Sequence, residues 1–241
     1  MTIDDIKMIA FFDVLGFKDR VRKKGLQEVY AEYEQLIQMV VTKNGSLCIG
    51  RAIRGDGYYS PAVGWLAVDH AYFSDTVLLW SKFDQFRYPA FCSLSACLIC
   101  EALSSGMPLR GAVSVGQAVL NKTTNVFLGP AIVEASDVEK AQSWIGVSFA
   151  PSAAKQLQGF DPRLVLPYAR HRKDGTAHLV EGAVLDWPRY WRKNLPKDII
   201  TTLHSLDPHP YIENTINFVR FSEANHDWFL NRESFGISEN G

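Results

Sequence analysis

The chain has 241 residues, 47% of them apolar, and a formal net charge of −1 at pH 7. That is enough apolar content to bury one substantial core. It is too little positive charge for a protein that holds nucleic acid or a membrane surface through a broad basic patch, so neither is expected as a partner.

From the N-terminus, no stretch has the basic, apolar and small-residue order of a signal peptide. No apolar run approaches the roughly 18 residues of a spanning helix, so a cytoplasmic protein with a small or specific partner is expected. Residues 8–14, "MIAFFDV", predict a buried strand that breaks off on Asp13. A glycine turn follows, and then "LQEVYAEYEQLIQMVV", with Val29, Tyr33, Leu36, Ile37 and Val40 at helical spacing. "SLCIGRAIR" predicts a strand and "GDGYYSPAVG" a loop. In "LAVDHAYFSDTVLLWS" two β-rich runs meet at Ser74-Asp75, the pattern of a hairpin with Asp75 at its turn.

"FRYPAFCSLSACLICEALSSG" predicts a long helix, apolar nearly all round and so buried against a sheet. It carries Cys92, Cys97 and Cys100; with Cys48 elsewhere and no second CxxC, these are expected to be buried thiols rather than a zinc set. "PLRGAVSVGQAVL" is strand-like, thinned at Gly111 and Gly116 where another backbone or a ligand can come close. "GPAIVEASDVEKAQSW" predicts a helix with proline in its first turn, followed by strand "IGVSFA" and the short helix "PSAAKQL". Two further strands flank the Lys-Asp-Gly turn of "RLVLPYARHRKDGTAHLVEGAVLDW", and "WPRYW" is expected to be turn and packing. "KDIITTLHSL" and "YIENTINFVRFSEANHDWFL" predict helices of a C-terminal extension, residues 188–241, after a principal domain over residues 1–187. The order β-α-β-β-α-β predicts a ferredoxin-like α+β sheet of the split βαβ plan.

That plan places the first strand centrally, beside the hairpin, so Asp13 and Asp75 can meet although 62 positions separate them. Paired carboxylates with few other fixed ligands suit Mg²⁺ or Mn²⁺, which complete their shells with water, carbonyls and phosphates. The turn Leu15-Gly16-Phe17 enters a helix, where free amides favour phosphate oxygens. A strand-ending aspartate is also an ordinary turn former, and no GxxxxGK[ST] loop occurs in the chain.

"FFDVLGF", "YFSDTVLLW", "LRGAVSVGQAV" and "FLGPAIVEASDVEKAQ" together resemble, in order, four motifs of the class III nucleotidyl cyclases. The resemblance implies a nucleotidyl cyclase core with helices packed on one sheet, a homodimer with sites at the interface, and two metal ions, Mn²⁺ or Mg²⁺. It also implies conversion of a nucleoside triphosphate to a 3′,5′-cyclic monophosphate and pyrophosphate. Asp13 and Asp75 map to the metal-bridging acids, Val14 to the backbone carbonyl on one metal, and Leu15, Gly16 and Phe17 to the amides on the β- and γ-phosphates. The family's purine-reading Lys and acid map to Ala71 and Val126, and its transition-state Asn and Arg to Val133 and Asp137. Those losses exclude an ordinary purine cyclase.

The closer likeness, in "DVLGF", "FSDT" and "VLDW", is to the pyrimidine cyclases of the bacterial Pycsar anti-phage system. It implies UTP or CTP as substrate and cyclic UMP or cyclic CMP as a signal read by a separate effector. For the base, Arg54 is the first candidate donor to uracil carbonyls, with Arg51 beside it and Tyr72 lining the ring; both arginines can equally be surface charges. Arg110 is placed near the site by the resemblance, or pairs with a carboxylate. Arg170, Arg172 and Lys173 map to a cation supplied to the triphosphate by a partner protomer, or form a solvated turn. A catalytically inactive nucleotide-binding regulator remains the alternative. A diguanylate cyclase relative is disfavoured because no GGDEF-like turn appears.

Overall fold

The computed structural model describes residues 5–39, 68–157, 164–179, 182–207 and 209–225. The predicted strand "SLCIGRAIR", with Arg51 and Arg54, and the loop after it lie outside the described residues.

The first strand, β1 (Ile6–Val14), has no polar face. Met8, Ala10 and Phe12 enter the main core, while Ile9 and Phe11 pack on the opposite side of the sheet. A strand apolar on both faces belongs inside a covered sheet. β1 accordingly lies between β3 (Thr76–Lys82) and β4 (Leu109–Gln117), antiparallel to both, with β2 (Asp69–Phe73) outside β3. The α+β expectation holds: β2-β3-β1-β4 is the ferredoxin-like strand order, reached through the helices α1 (Phe17–Lys24), α2 (Leu26–Ile37) and α3 (Tyr88–Ser104). The sheet continues to seven strands through β7 (Val147–Phe149), which runs parallel to β4 and leads into the short helix α5 (Pro151–Ala154), then β9 (Ala183–Leu185) and β8 (Val165–Pro167).

Between β4 and β7 the chain makes a small hairpin, β5 (Val119–Asn121) with β6 (Val126–Leu128), and the helix α4 (Pro130–Lys140). The hairpin was not anticipated: "PLRGAVSVGQAVL" was expected as one strand, but the ladder stops at Gln117 and Val119 opens a second sheet. Gly116 does thin the strand for a close approach, since an added Cβ would lie 3.2 Å from the Ala131 Cβ of α4. Gly129 turns the chain into α4 at φ 142°, a value that favours glycine.

Helix α3 is buried along almost its whole length. One side of it meets the sheet, and α6 (Trp187–Asn194) packs on another, with α7 (Ile199–His204) and α8 (Pro210–Ala224) alongside α6. "WPRYW" is therefore helix rather than turn, begun by Asp186, whose carboxylate accepts the Arg189 N–H at 3.3 Å. Trp187, Trp191, Leu203 and Phe218 join the same core as the sheet and α3. Cys92 and Cys100 are buried thiols, as expected, whereas Cys97 is disulfide-bonded. Among the described residues no helix is long and apolar enough to cross a membrane.

Candidate functional site

Strand periodicity fixes which face the acids take. Asp13 follows Ile9 and Phe11 onto the α4 side of the sheet, opposite Thr76 of β3 and Arg110 of β4. Ser74 and Asp75 form the two-residue turn between the paired Phe73 and Thr76, with Ser74 at φ 56°. The turn docks on the end of β1 through its backbone: the Val14 N–H donates to the Asp75 carbonyl at 2.7 Å. Asp13 and Asp75 are thereby neighbours, both partly exposed. Burial pushes the Asp13 carboxyl above its ordinary value; Arg110 opposes that rise, and the like charge of Asp75 adds to it.

The Leu15 N–H is already committed to the Pro108 carbonyl, at 3.0 Å. Gly16 stands at φ 74° as the N-cap of α1 and has no side-chain cap. Its amide and that of Phe17 have no hydrogen-bond partner among the described residues, as the first turn of a helix requires. The resemblance assigned all three amides to phosphate; the geometry leaves Gly16 and Phe17 open and Leu15 closed.

Arg110 is the central cation of the site. It is 7% exposed. Its Nε–H donates to Glu139 of α4 at 2.5 Å, Nη1 donates to the Gln142 carbonyl at 3.0 Å, and Nη2 reaches Asp13 at 3.5 Å. Arg110 thus stands beside Asp13 and pairs with two carboxylates. Burial raises the Glu139 carboxyl and Arg110 opposes the rise; the 2.5 Å contact is that of an ion pair. Lys173 and Lys140 add positive charge near Asp13 from the same chain. Lys173, read either as a cation for a partner protomer's triphosphate or as part of a solvated turn, has its backbone bound to the end of α4, its N–H donating to the Ala141 carbonyl at 2.8 Å. Arg172 turns away to the Ala177 carbonyl.

Tyr33 of α2 is a residue that sequence reasoning took for core. Its ring packs edge-on against Phe17, with centroids 5.9 Å apart, and its hydroxyl is buried with no hydrogen-bond partner among the described residues. Burial and then the charges of Asp75 and Asp13 raise its pKa. Glu139 was legible in principle, as an acid four residues after Ala135 on the buried stripe of α4.

The donor set fits a hard divalent cation. The carboxylates of Asp13 and Asp75 lie close enough to act on each other's charge and on the Tyr33 hydroxyl, and among the described residues no group of three His, Cys, Asp or Glu forms a closed cage. Such a cation would take its remaining oxygens from water and substrate.

Beyond the turn, Tyr72 edges an open hollow of ≈ 640 Å³ lined by His70, Ala71, Phe73, Lys122, Asn125 and Phe127. Phe73 stacks on Phe127 with centroids 6.3 Å apart. Val133, on α4, is 60% exposed.

Fold and site define an α+β protein of the ferredoxin-like class with an acidic pair where its central strand meets a hairpin turn. No protein-family model matches the chain, and no curated protein matches it. Among solved structures, it is similar to the catalytic core of a rhodopsin-guanylyl cyclase with converted specificity, in complex with ATPalphaS. The identity is 11% and the TM-score 0.45, over 75% of this chain and 92% of that one. It is also similar to a bacterial light-regulated adenylyl cyclase, at 14% identity and TM-score 0.43, covering 82% of this chain. The chain spans 55% of the length of that cyclase.

Proposed function

We propose that the chain is a nucleotidyl cyclase that converts UTP to 3′,5′-cyclic UMP and pyrophosphate, with two Mn²⁺ or Mg²⁺ ions per site. The observation that carries the reading is the docking of the Asp75 turn on the end of β1, which sets two carboxylates side by side next to the open amides of Gly16 and Phe17. In the reaction the ribose 3′-oxygen forms a bond to the α-phosphorus, the bond to the pyrophosphate oxygen breaks, and the 3′-hydroxyl proton leaves to solvent. Bound ions would activate the 3′-oxygen and neutralise the triphosphate.

Asp13 and Asp75 hold that charge in place. Gly16 and Phe17 offer N–H groups to phosphate oxygens at the start of α1. Arg110, fixed by Glu139 and Gln142, sets the charge beside Asp13. The choice of a pyrimidine rests on Ala71 and Val126, which stand where purine readers would carry a Lys and an acid. The aromatic walls of the neighbouring hollow, Tyr72, Phe73 and Phe127, supply faces for a ring. In this reading the enzyme is a homodimer and makes a second messenger of bacterial anti-phage defence that a separate effector senses; CTP and cyclic CMP are the alternative pair.

One observation favours the second reading, an inactive nucleotide-binding regulator: the guanidinium of Arg110 already lies on Asp13, at 3.5 Å. Incubating the protein with each of the four triphosphates and Mn²⁺, then identifying products by mass, separates the two. Cyclic UMP lost in Asp75→Ala supports the proposal; binding of triphosphate without release of pyrophosphate supports the regulator. A purine product overturns the pyrimidine assignment.

A further inference from the structure

The C-terminal helix α8 reaches the acid site. The Arg110 guanidinium carbon lies 5.6 Å from the centroid of the Tyr211 ring, on the first turn of α8. A guanidinium donates only in its plane, so an aromatic ring can cover a face without competing for the donors. In that plane Arg110 already serves Glu139, the Gln142 carbonyl and Asp13, and the last is the longest contact at 3.5 Å.

Opposite charges in a setting this buried would be expected to close to a shorter bond unless something held them apart. The Arg110 side chain is 8% exposed and that of Asp13 26%, so the guanidinium is the more enclosed partner of the two. Glu139 and Gln142 pull the fork from the α4 side, and the Tyr211 ring stands against it.

Tyr211 is itself held. The Thr215 hydroxyl donates to the Tyr211 carbonyl at 2.5 Å and accepts the Ile145 N–H at 2.8 Å. Asn214 donates to the Ser143 carbonyl at 2.7 Å. Helix α8 thus grips the 142–146 segment, and that segment grips Arg110 through Gln142 and the neighbouring strand through the Gly146 carbonyl, which accepts the Gly111 N–H at 2.8 Å.

We propose that Tyr211 is a positioning residue that keeps Arg110 from closing on Asp13, so that the C-terminal extension holds the acid pair open for a divalent cation. The proposal rests on the reading of Asp13 and Asp75 as cation-binding acids. Without the ring, Arg110 closes on Asp13 and takes the electrostatic place of the cation. No residue of the extension has to touch the cation for the extension to govern its binding.

The test is a titration with Mn²⁺ alone, followed by electron paramagnetic resonance of the free ion, on the full chain and its variants. Tyr211→Leu is expected to weaken Mn²⁺ binding by roughly tenfold. Tyr211→Phe, which keeps a ring over the guanidinium, is expected to restore it. Should the Leu variant lose its thermal transition, Tyr211→Met serves in its place. A merely structural role would lower the melting temperature and leave the Mn²⁺ affinity unchanged. Wild-type affinity in the Leu or Met variant overturns the proposal, as does an equal loss in the Phe variant. If the wild-type chain itself binds no Mn²⁺, the cation-binding reading of the acid pair falls, and this proposal falls with it.

Discussion

The Val14 N–H donates to the carbonyl of Asp75, at 2.7 Å. This main-chain bond joins the end of β1 to the β2–β3 turn, one residue after Asp13. The acids are brought together by backbone, so their side chains are free for another purpose. Their repulsion is part of what raises the Asp13 carboxyl, which means the fold tolerates the pair rather than depending on it.

Neutralising either acid should therefore leave the fold intact. Asp13→Asn and Asp75→Asn are expected to melt within about 2 °C of the parent or slightly above it, because a like-charge contact is lost and the main-chain bond stays. Both are expected to lose Mn²⁺ binding in the same titration. A large drop in melting temperature would show the carboxylates to be structural.

Glu139 should behave in the opposite way. It is 2% exposed and carries the shortest contact of Arg110. Glu139→Gln leaves a buried guanidinium with Asp13 as its one remaining carboxylate, and a loss of about 3 kcal/mol is expected. Urea denaturation measures it as a lower midpoint at unchanged slope.

Asp186 gives a pH dependence whose sign is set by burial. It is fully buried, one carboxylate oxygen has no partner among the described residues, and its pKa is pushed up from 3.8 to about 6, chiefly by burial. The folded chain holds this proton more tightly than the unfolded chain, so stability falls as pH rises from about 4 to about 6. The penalty is full above about pH 6, absent below about pH 4, and on the order of 3 kcal/mol. Thermal melts across that range should show the fall, and Asp186→Asn should flatten it. An unchanged profile in the Asn variant would assign the dependence to another group.

Gly111 is a position where space, not φ, demands glycine. A Cβ there would stand 2.5 Å from the Phe12 ring and 2.7 Å from the Phe11 carbonyl oxygen. Gly111→Ala must part β1 from β4, and a loss of about 2 kcal/mol is expected by chemical denaturation. A substitution within 0.5 kcal/mol of the parent would mean that the ring alone gives way.

The sheet and the acid pair were legible in the sequence because both follow from period-two patterning and from the order of elements. "IAFFDV" is apolar on both faces, which places β1 inside a sheet, and Ser74-Asp75 marks a turn between two β-rich runs. What surrounds the acids was not legible. Arg110 and Glu139 are 29 positions apart, and Arg110 and Tyr211 are 101 apart, so no local pattern announces either contact. Tyr33 looked like core because its spacing is that of core; what distinguishes it is a buried hydroxyl with no partner among the described residues, under the charges of Asp75 and Asp13. The helix at "WPRYW" was missed although its aspartate cap and first-turn proline were in view, because its aromatic residues suggested packing alone.

The distance along the chain between contacting groups has a kinetic meaning. Asp13 meets Arg110 across 97 residues, and β1 cannot be flanked on both sides until β4 arrives. Pairings of such long range are slow to form, because the chain between them must be closed before any contact repays the loss of entropy. During synthesis a ribosome-bound fragment that stops short of β4 holds both aspartates but lacks Arg110, and the acid site is completed only after the chain that follows α3 has emerged.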